Sequence, residues 1–232
     1  MRSLRVLIVL LPLAAAAAVV WPLKNGSAWQ RMVRFFNPPS VPPPFDPAFI
    51  RLPPEEIAAL PLAVRFDQPL GSPHGALTYN AQPFRVTRHL GDDLNGIGGQ
   101  NSDLGDPVYA AGAGRVVFTG EPGSGWGNMV ILMHRIPDLE NPGQERVVQT
   151  VYAHLDRIRV TIGQVASRGE VIGTVGTGGG LYLAHLHFEV REGPYINPSV
   201  GYADAPLNRL SPERFLTQYR GAPDDQLNPP PH

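Results

Sequence analysis

The sequence predicts an all-β, largely antiparallel sheet domain, preceded by an apolar N-terminal helix and a proline-rich arm. Three observations carry this. From about residue 80 onward, short apolar or alternating runs are separated by Gly, Pro, Asn and Asp, the pattern of strands and turns. Eleven prolines fall between Asn37 and Pro73, more than any sheet ladder tolerates. The chain opens with an apolar stretch from Val6 to Leu23, broken at Pro12.

Taken in order, Met1-Arg2-Ser3-Leu4-Arg5 places two arginines ahead of the apolar stretch, and Ala14 to Ala18 offers small-residue cleavage sites. That is the build of an export signal. Uncleaved, the stretch just reaches across a bilayer, for which roughly 17–25 residues are needed, with Trp21 at the interface. A cleaved signal and a retained anchor both fit, and in either case the protein leaves the cytoplasm for the periplasm or cell envelope. Any inner-membrane association would run through this segment. The expected division is 1–24 for the signal or anchor, 25–79 for a helix and proline-rich linker, 80–203 for the β domain, and 204–232 for a C-terminal helix and tail.

Within the linker, Trp29, Met32, Val33 and Phe36 recur at helical spacing, so a short amphipathic helix is expected there. The prolines that follow suit an extended, semi-rigid spacer. Two readings stand side by side: an arm that holds the domain off the membrane, or a strap packed on the domain surface. Pro53-Pro54-Glu55-Glu56-Ile57 is expected to start one short helix, with proline in its first turn. The expected strands are Val108–Ala110, Arg115–Phe118, Met129–Met133, Val147–Tyr152, Val171–Thr174 and Leu186–Val190. Ser211-Pro212-Glu213 reads as a helix start and Gly221 as its end. Ala222 to His232 is a polar, proline-rich tail.

Composition excludes several classes. The net charge is −1, so nothing argues for nucleic acid, whose binding leans on clustered positive charge. With no cysteine in the chain, there is neither a disulfide framework nor a thiolate for a metal. Only nitrogen and oxygen ligands remain, a set that suits zinc.

Chemistry concentrates in two short clusters. Three of the seven histidines lie in His89-Leu90-Gly91-Asp92-Asp93 and Ala184-His185-Leu186-His187-Phe188, and His154 lies between them in Val151-Tyr152-Ala153-His154-Leu155. Two His and one carboxylate make a three-ligand zinc site with a fourth position for water, the catalytic rather than the structural pattern. Metal-assisted hydrolysis is the implied chemistry. Side chains two apart on a strand face one way, with alpha carbons about 6–7 Å apart. One of His185 and His187 can then bind a metal while the other stands beside it. His89 and Asp93, four apart, would be ~13 Å from each other on a straight strand. Sharing an ion at ~2.0–2.2 Å per bond therefore demands a bend, which Gly91 permits. Each piece alone is common without a metal; together they are harder to dismiss. His134 is expected to be a strand-edge residue, and His74 and His232 have no expected role.

The chain here resembles the M23 peptidases, the LytM or lysostaphin-like zinc endopeptidases, over roughly residues 84 to 201. The matching residues are His89-x-Gly91-x-Asp93, Gly105-Asp106-Pro107-Val108-Tyr109-Ala110, Gly114-Arg115-Val116 and Gly125-Trp126-Gly127-Asn128. They continue with Tyr152-Ala153-His154-Leu155, Gly163-Gln164-Val165, Gly169-Glu170-Val171-Ile172-Gly173, His185-Leu186-His187-Phe188-Glu189-Val190 and Asn197-Pro198. The resemblance implies that His89, Asp93 and His187 hold Zn²⁺ on the floor of a shallow groove, and that His154 and His185 are catalytic. It implies peptidoglycan peptides as substrate. One of the two catalytic histidines would act as general base, the other on the oxyanion or the leaving amine.

Two departures from the family pattern bear on specificity. Leu181-Tyr182-Leu183-Ala184 stands where the family usually has Ser-Thr-Gly-Pro, giving a bulkier, more apolar wall. The loop Leu94–Leu104 is longer than usual, and Arg135–Arg146 is another long polar turn. Each is a substrate wall, a lid or an exposed structural loop. A competing function is a non-catalytic scaffold that binds the wall or activates another hydrolase; all five positions are filled here, which favours activity. A lipoyl- or biotinyl-type carrier, suggested by Val160–Gly173, needs a lysine at a hairpin turn. The one lysine, Lys24, lies outside the domain, so that reading fails.

Overall fold

The computed structural model describes residues 50–198 and 201–221. Ten strands form one sheet in which every strand pairing is antiparallel. In chain order they are β2 (Thr78–Gln82), β3 (Asp92–Gly96), β4 (Pro107–Tyr109), β5 (Gly114–Gly120), β6 (Asn128–Pro137), β7 (Glu145–Ile158), β8 (Val165–Ala166), β9 (Val171–Val175), β10 (Leu186–Glu192) and β12 (Arg209–Leu210). The main path runs β2-β3-β10-β7-β6-β5-β8, with β12 beside β10, β9 beside β7, and β4 beside β9. A separate pair joins β1 (Ile50–Arg51) to β11 (Tyr195–Ile196).

The sheet is apolar on both faces, which is why β6 reads as an unbroken apolar run rather than an alternating one. Val130 and Leu132 enter a core with Tyr152, Phe188 and Val190, while Met129, Ile131 and Met133 enter a second core with Val151 and Ala153. Successive side chains on a strand point to opposite faces, so one strand feeds both. Helix α2 (Pro212–Tyr219) covers the first core with Phe215, Leu216 and Tyr219. It starts as expected, with proline in its first turn and the Ser211 hydroxyl accepting from the Arg214 N–H. Helix α1 (Pro54–Ala58) forms at the expected place.

Residues 60–70 of the proline-rich stretch pack into the domain. Leu60, Ala63, Phe66 and Leu70 are buried, and the Ala63, Phe66 and Asp67 N–H groups donate to the Arg135, Tyr219 and Ala111 carbonyls. This part of the chain is a strap. The expected helix at 27–36, the apolar N-terminal stretch and the tail lie outside the described residues. Among the described residues no helix is long and apolar enough to cross a membrane.

All six expected strands form, most of them longer than the apolar runs that announce them. His134 differs from expectation: it is fully buried rather than at a strand edge. Strand β6 lies between β5 and β7, and the strap lays Phe66 edge-on against the imidazole at 5.1 Å. Its ring nitrogens bond the Ala113 carbonyl (2.7 Å) and the Thr150 hydroxyl (2.8 Å). Burial pushes its pKa down to about 4, so it is a neutral core histidine.

Candidate metal centre

The sheet register brings the two sequence clusters together. In β10, His187 stands opposite Asp93 of β3 on one side and Ala153 of β7 on the other. His154 therefore lies one residue along β7. His185 immediately precedes β10, bridged to Gly176. His89 precedes β3 and bridges Tyr202.

The bend demanded between His89 and Asp93 is present, because His89 Nε2 lies 3.2 Å from Asp93 Oδ1. Gly91 sits in it for reasons of space. A Cβ there would come within 2.6 Å of the Phe188 carbonyl oxygen and 2.9 Å of both the Glu189 Cγ and the His187 Cε1. The chain thus passes directly over β10, closer than any side chain allows.

Three donor atoms converge. His187 Nδ1 lies 3.0 Å from Asp93 Oδ1 and 2.9 Å from His89 Nε2, and the third edge is the 3.2 Å contact above. Donors sharing one tetrahedral ion at about 2.0–2.1 Å per bond stand about 3.3 Å apart, so these three fit a zinc-sized ion. The far nitrogen of His187, Nε2, lies 3.0 Å from Glu189 Oε1. A second grouping, Asp93, His154 and His185, brings its ligand atoms within 4.8 Å of one another. It is looser, with His185 Nε2 3.7 Å from Asp93 Oδ1.

His154 and His185 face each other with ring centroids 4.7 Å apart. Each commits Nδ1 to a backbone carbonyl: His154 donates to Trp126 O (3.0 Å) and His185 to Leu183 O (2.8 Å). The Nε2 atoms are thereby left as the lone-pair atoms. His154 has φ +63, a left-handed conformation that costs a non-glycine residue about 1–3 kcal/mol. It is held there because its own N–H also donates to Trp126 O, at 2.8 Å.

Electrostatics follow from burial and pairing. Burial opposes the charge on Asp93, but hydrogen bonds from His187 and His89 outweigh it and hold the carboxyl well below its usual range. Burial also opposes a proton on His187, yet Asp93 and Glu189 raise its pKa to about 9. His154 is pushed well below 6.5, first by burial and then by the neighbouring His187 and His185. At the rim, burial and then Asp93 raise Tyr202 to about 12; its ring lies 5.1 Å from that of His89.

Tyr182 of the unusual wall stands 4.9 Å from the His154 ring and 5.7 Å from the His185 ring. The long loop braces that wall. Asn101 Oδ1 accepts from the Ala184 N–H (2.8 Å) and Asn95 Nδ2 donates to the Ala184 carbonyl (3.1 Å). The Asp93 and His185 side chains remain 12% and 13% exposed, so the cluster opens to solvent on their side.

All five residues singled out in the sequence lie in this one cluster. Tyr182 lies in the wall expected to bear on specificity, and Asn95 and Asn101 lie in the long loop expected as a wall, lid or structural loop, whereas Glu189, Trp126 and Tyr202 have no expected role of their own. Glu189 had a signal, since it shares a strand face with His187 by the period of two. Trp126 acts through its backbone carbonyl and Tyr202 through a ring contact with His89, and neither leaves such a signal.

An antiparallel sheet that brings two imidazoles and a carboxylate to one point defines a candidate mononuclear metal site. Residues 93–198 match the family model described as peptidase family M23, and this part of the chain is a domain of that family. It is 33% identical over 155 residues to the DD-carboxypeptidase/endopeptidase Mpg of Neisseria meningitidis, covering 66% of this chain and 32% of that protein. It is 35% identical over 106 residues to the peptidoglycan DD-endopeptidase ShyB of Vibrio cholerae, covering 46% of this chain and 21% of that protein. The lipoprotein YgeR of Escherichia coli is 37% identical over 87 residues, covering 38% and 30%. The matched part spans no more than about a third of the length of these relatives.

Proposed function

We propose that this chain is an exported zinc metalloendopeptidase that hydrolyses peptide cross-links or bridges of bacterial peptidoglycan. The observation that carries the reading is the convergence of five side chains: three donors at mutual distances of 2.9–3.2 Å and two imidazoles with bare Nε2 atoms beside them. The relatives named for peptidoglycan endopeptidase activity support the substrate class. The arginines and apolar stretch of residues 1–24 support export, by a cleaved signal or a retained anchor.

His89, Asp93 and His187 would hold the metal. Zinc there would supply Lewis acidity, lowering the pKa of a water from 15.7 to about 7 and polarising the scissile carbonyl. The remaining work falls to the chain. One of His154 and His185 takes the proton of the attacking water on Nε2. The other, in its doubly protonated form with Nδ1–H still on the backbone carbonyl, donates its Nε2–H to the developing oxyanion or delivers that proton to the departing amine. The backbone carbonyls that hold both Nδ1–H groups keep the two rings aimed, so neither reorients during the reaction. Tyr182 walls the cleft beside them and selects among substrates by shape.

The test is incubation of the full chain with purified sacculi and mass spectrometry of the soluble products. Released cross-linked peptides, abolished by a zinc chelator and lowered about 10²–10⁴-fold by His185→Ala, support the reading. A zinc-loaded chain that releases nothing from any wall type contradicts it and favours the scaffold alternative.

A further inference from the structure

Glu189 lies two residues beyond His187 on β10 and on the same face of the sheet. It is fully buried. A buried carboxylate is costly unless it is paired and hydrogen-bonded, and Glu189 is both. Oε2 accepts from Arg191 Nε at 2.6 Å and from Arg209 Nε at 3.1 Å, while Oε1 lies 3.0 Å from His187 Nε2. Arg191 is anchored in turn by donating to the Asn197 carbonyl.

The division of labour between the two oxygens is the telling feature. A carboxylate that only neutralised two guanidiniums would offer both oxygens to them, in the fork geometry that arginine favours. Here a single oxygen takes both arginines, and the other is turned to the imidazole. Asp93 and His89 occupy the opposite side of that ring, at Nδ1.

We infer that Glu189 is a positioning residue for the metal centre: it accepts the Nε2–H of His187 and so fixes the tautomer whose Nδ1 lone pair faces His89 and Asp93. Arg191 and Arg209 hold the carboxylate in place. This rests on the zinc reading of the three donors. Partners that orient a ligating histidine in this way commonly carry 10–100-fold of metal affinity.

Two measurements on the full chain test it: zinc affinity by competition with a chromophoric chelator, and ¹H–¹⁵N spectra of the zinc-loaded, histidine-labelled protein. In the wild type, His187 is expected to carry its proton on Nε2, protected from exchange with water. Glu189→Gln is expected to bind zinc about 10–100-fold more weakly. Glu189→Asp keeps the charge near the arginines but draws it one methylene away from His187, and is expected to weaken zinc binding too. A carboxylate present only for the arginines would leave zinc affinity in Glu189→Asp unchanged. Wild-type affinity in both folded variants, or a His187 proton on Nδ1, overturns the inference. Should the variants fail to fold, the wild-type spectrum decides alone. A wild-type chain that binds no zinc is a separate result, which removes the metal reading and this inference with it.

Discussion

His187 and Asp93 stand directly opposite each other on β10 and β3, with Nδ1 of one 3.0 Å from Oδ1 of the other. The pair comes from residues far apart in sequence, and only the antiparallel register of two strands aligns them. One residue of slip would turn His187 into the apolar core and Leu186 into the site. The same register sets His187 beside Ala153, and with it His154. The candidate centre is thus a product of sheet pairing, and four consequences can be measured.

Zinc binding should depend on pH. In the metal-free protein burial opposes a proton on His187, but Asp93 and Glu189 keep it there up to about 9. Zinc must displace that proton, so affinity should fall by up to about tenfold per unit as pH drops below 9. Calorimetry in buffers of different ionisation enthalpy should find about one proton released per ion near pH 7. Affinity that stays flat between pH 6.5 and 9 would contradict this account.

Gly91→Ala should damage both fold and centre. The new methyl would press on the Phe188 carbonyl, the Glu189 Cγ and the His187 Cε1, an overpacking that costs about 1–3 kcal/mol. Thermal unfolding and zinc titration should both shift. Wild-type values in both would mean that the close passage over β10 is wrong.

Asn101→Ala should spare the metal and slow the reaction. It removes the acceptor for the buried Ala184 N–H, one residue before His185. The predicted outcome is unchanged zinc content and a kcat lowered roughly 10–100-fold by misplacement of that imidazole. Asn101→Asp keeps an acceptor oxygen and should retain most of the rate. Full kcat in the alanine variant would show that the loop does not position His185.

Stability should fall in mild acid through His134. Its folded pKa, pushed by burial to about 4, lies below the unfolded value near 6.5. The unfolded chain therefore binds more protons between those values. The contribution is complete above pH 6.5 and is lost as pH falls toward 4, by roughly 3 kcal/mol. Denaturant unfolding of wild type and His134→Gln across that range should show the difference narrowing as pH drops. A constant difference would contradict a neutral buried imidazole.

Much of the fold was legible because apolar runs bounded by Gly and Pro are read directly as strands and turns. Strand β3 was not, since Asp92-Asp93-Leu94-Asn95-Gly96 carries no apolar period; it is a strand because β2 and β10 pair it on both sides. His134 reads as an edge residue in the sequence because what buries it, Phe66, comes from a strap almost seventy residues earlier. The five candidate site residues stood out as short clusters, but spacing alone did not separate His185 from His187. In the structure that separation is the difference between 3.7 Å and 3.0 Å from Asp93 Oδ1, which depends on where β10 begins. The asparagine brace on Ala184 links a loop to a wall 83 residues away, a contact that no local pattern encodes.

The most direct test of the central claim is a crystal structure of the zinc-loaded chain with anomalous data at the zinc edge. The predicted result is one ion bonded to His89 Nε2, Asp93 Oδ1 and His187 Nδ1 at about 2.0–2.2 Å, with the His154 and His185 rings beside it and unbound. An ion held instead by Asp93, His154 and His185, or no anomalous peak near Asp93, would contradict it.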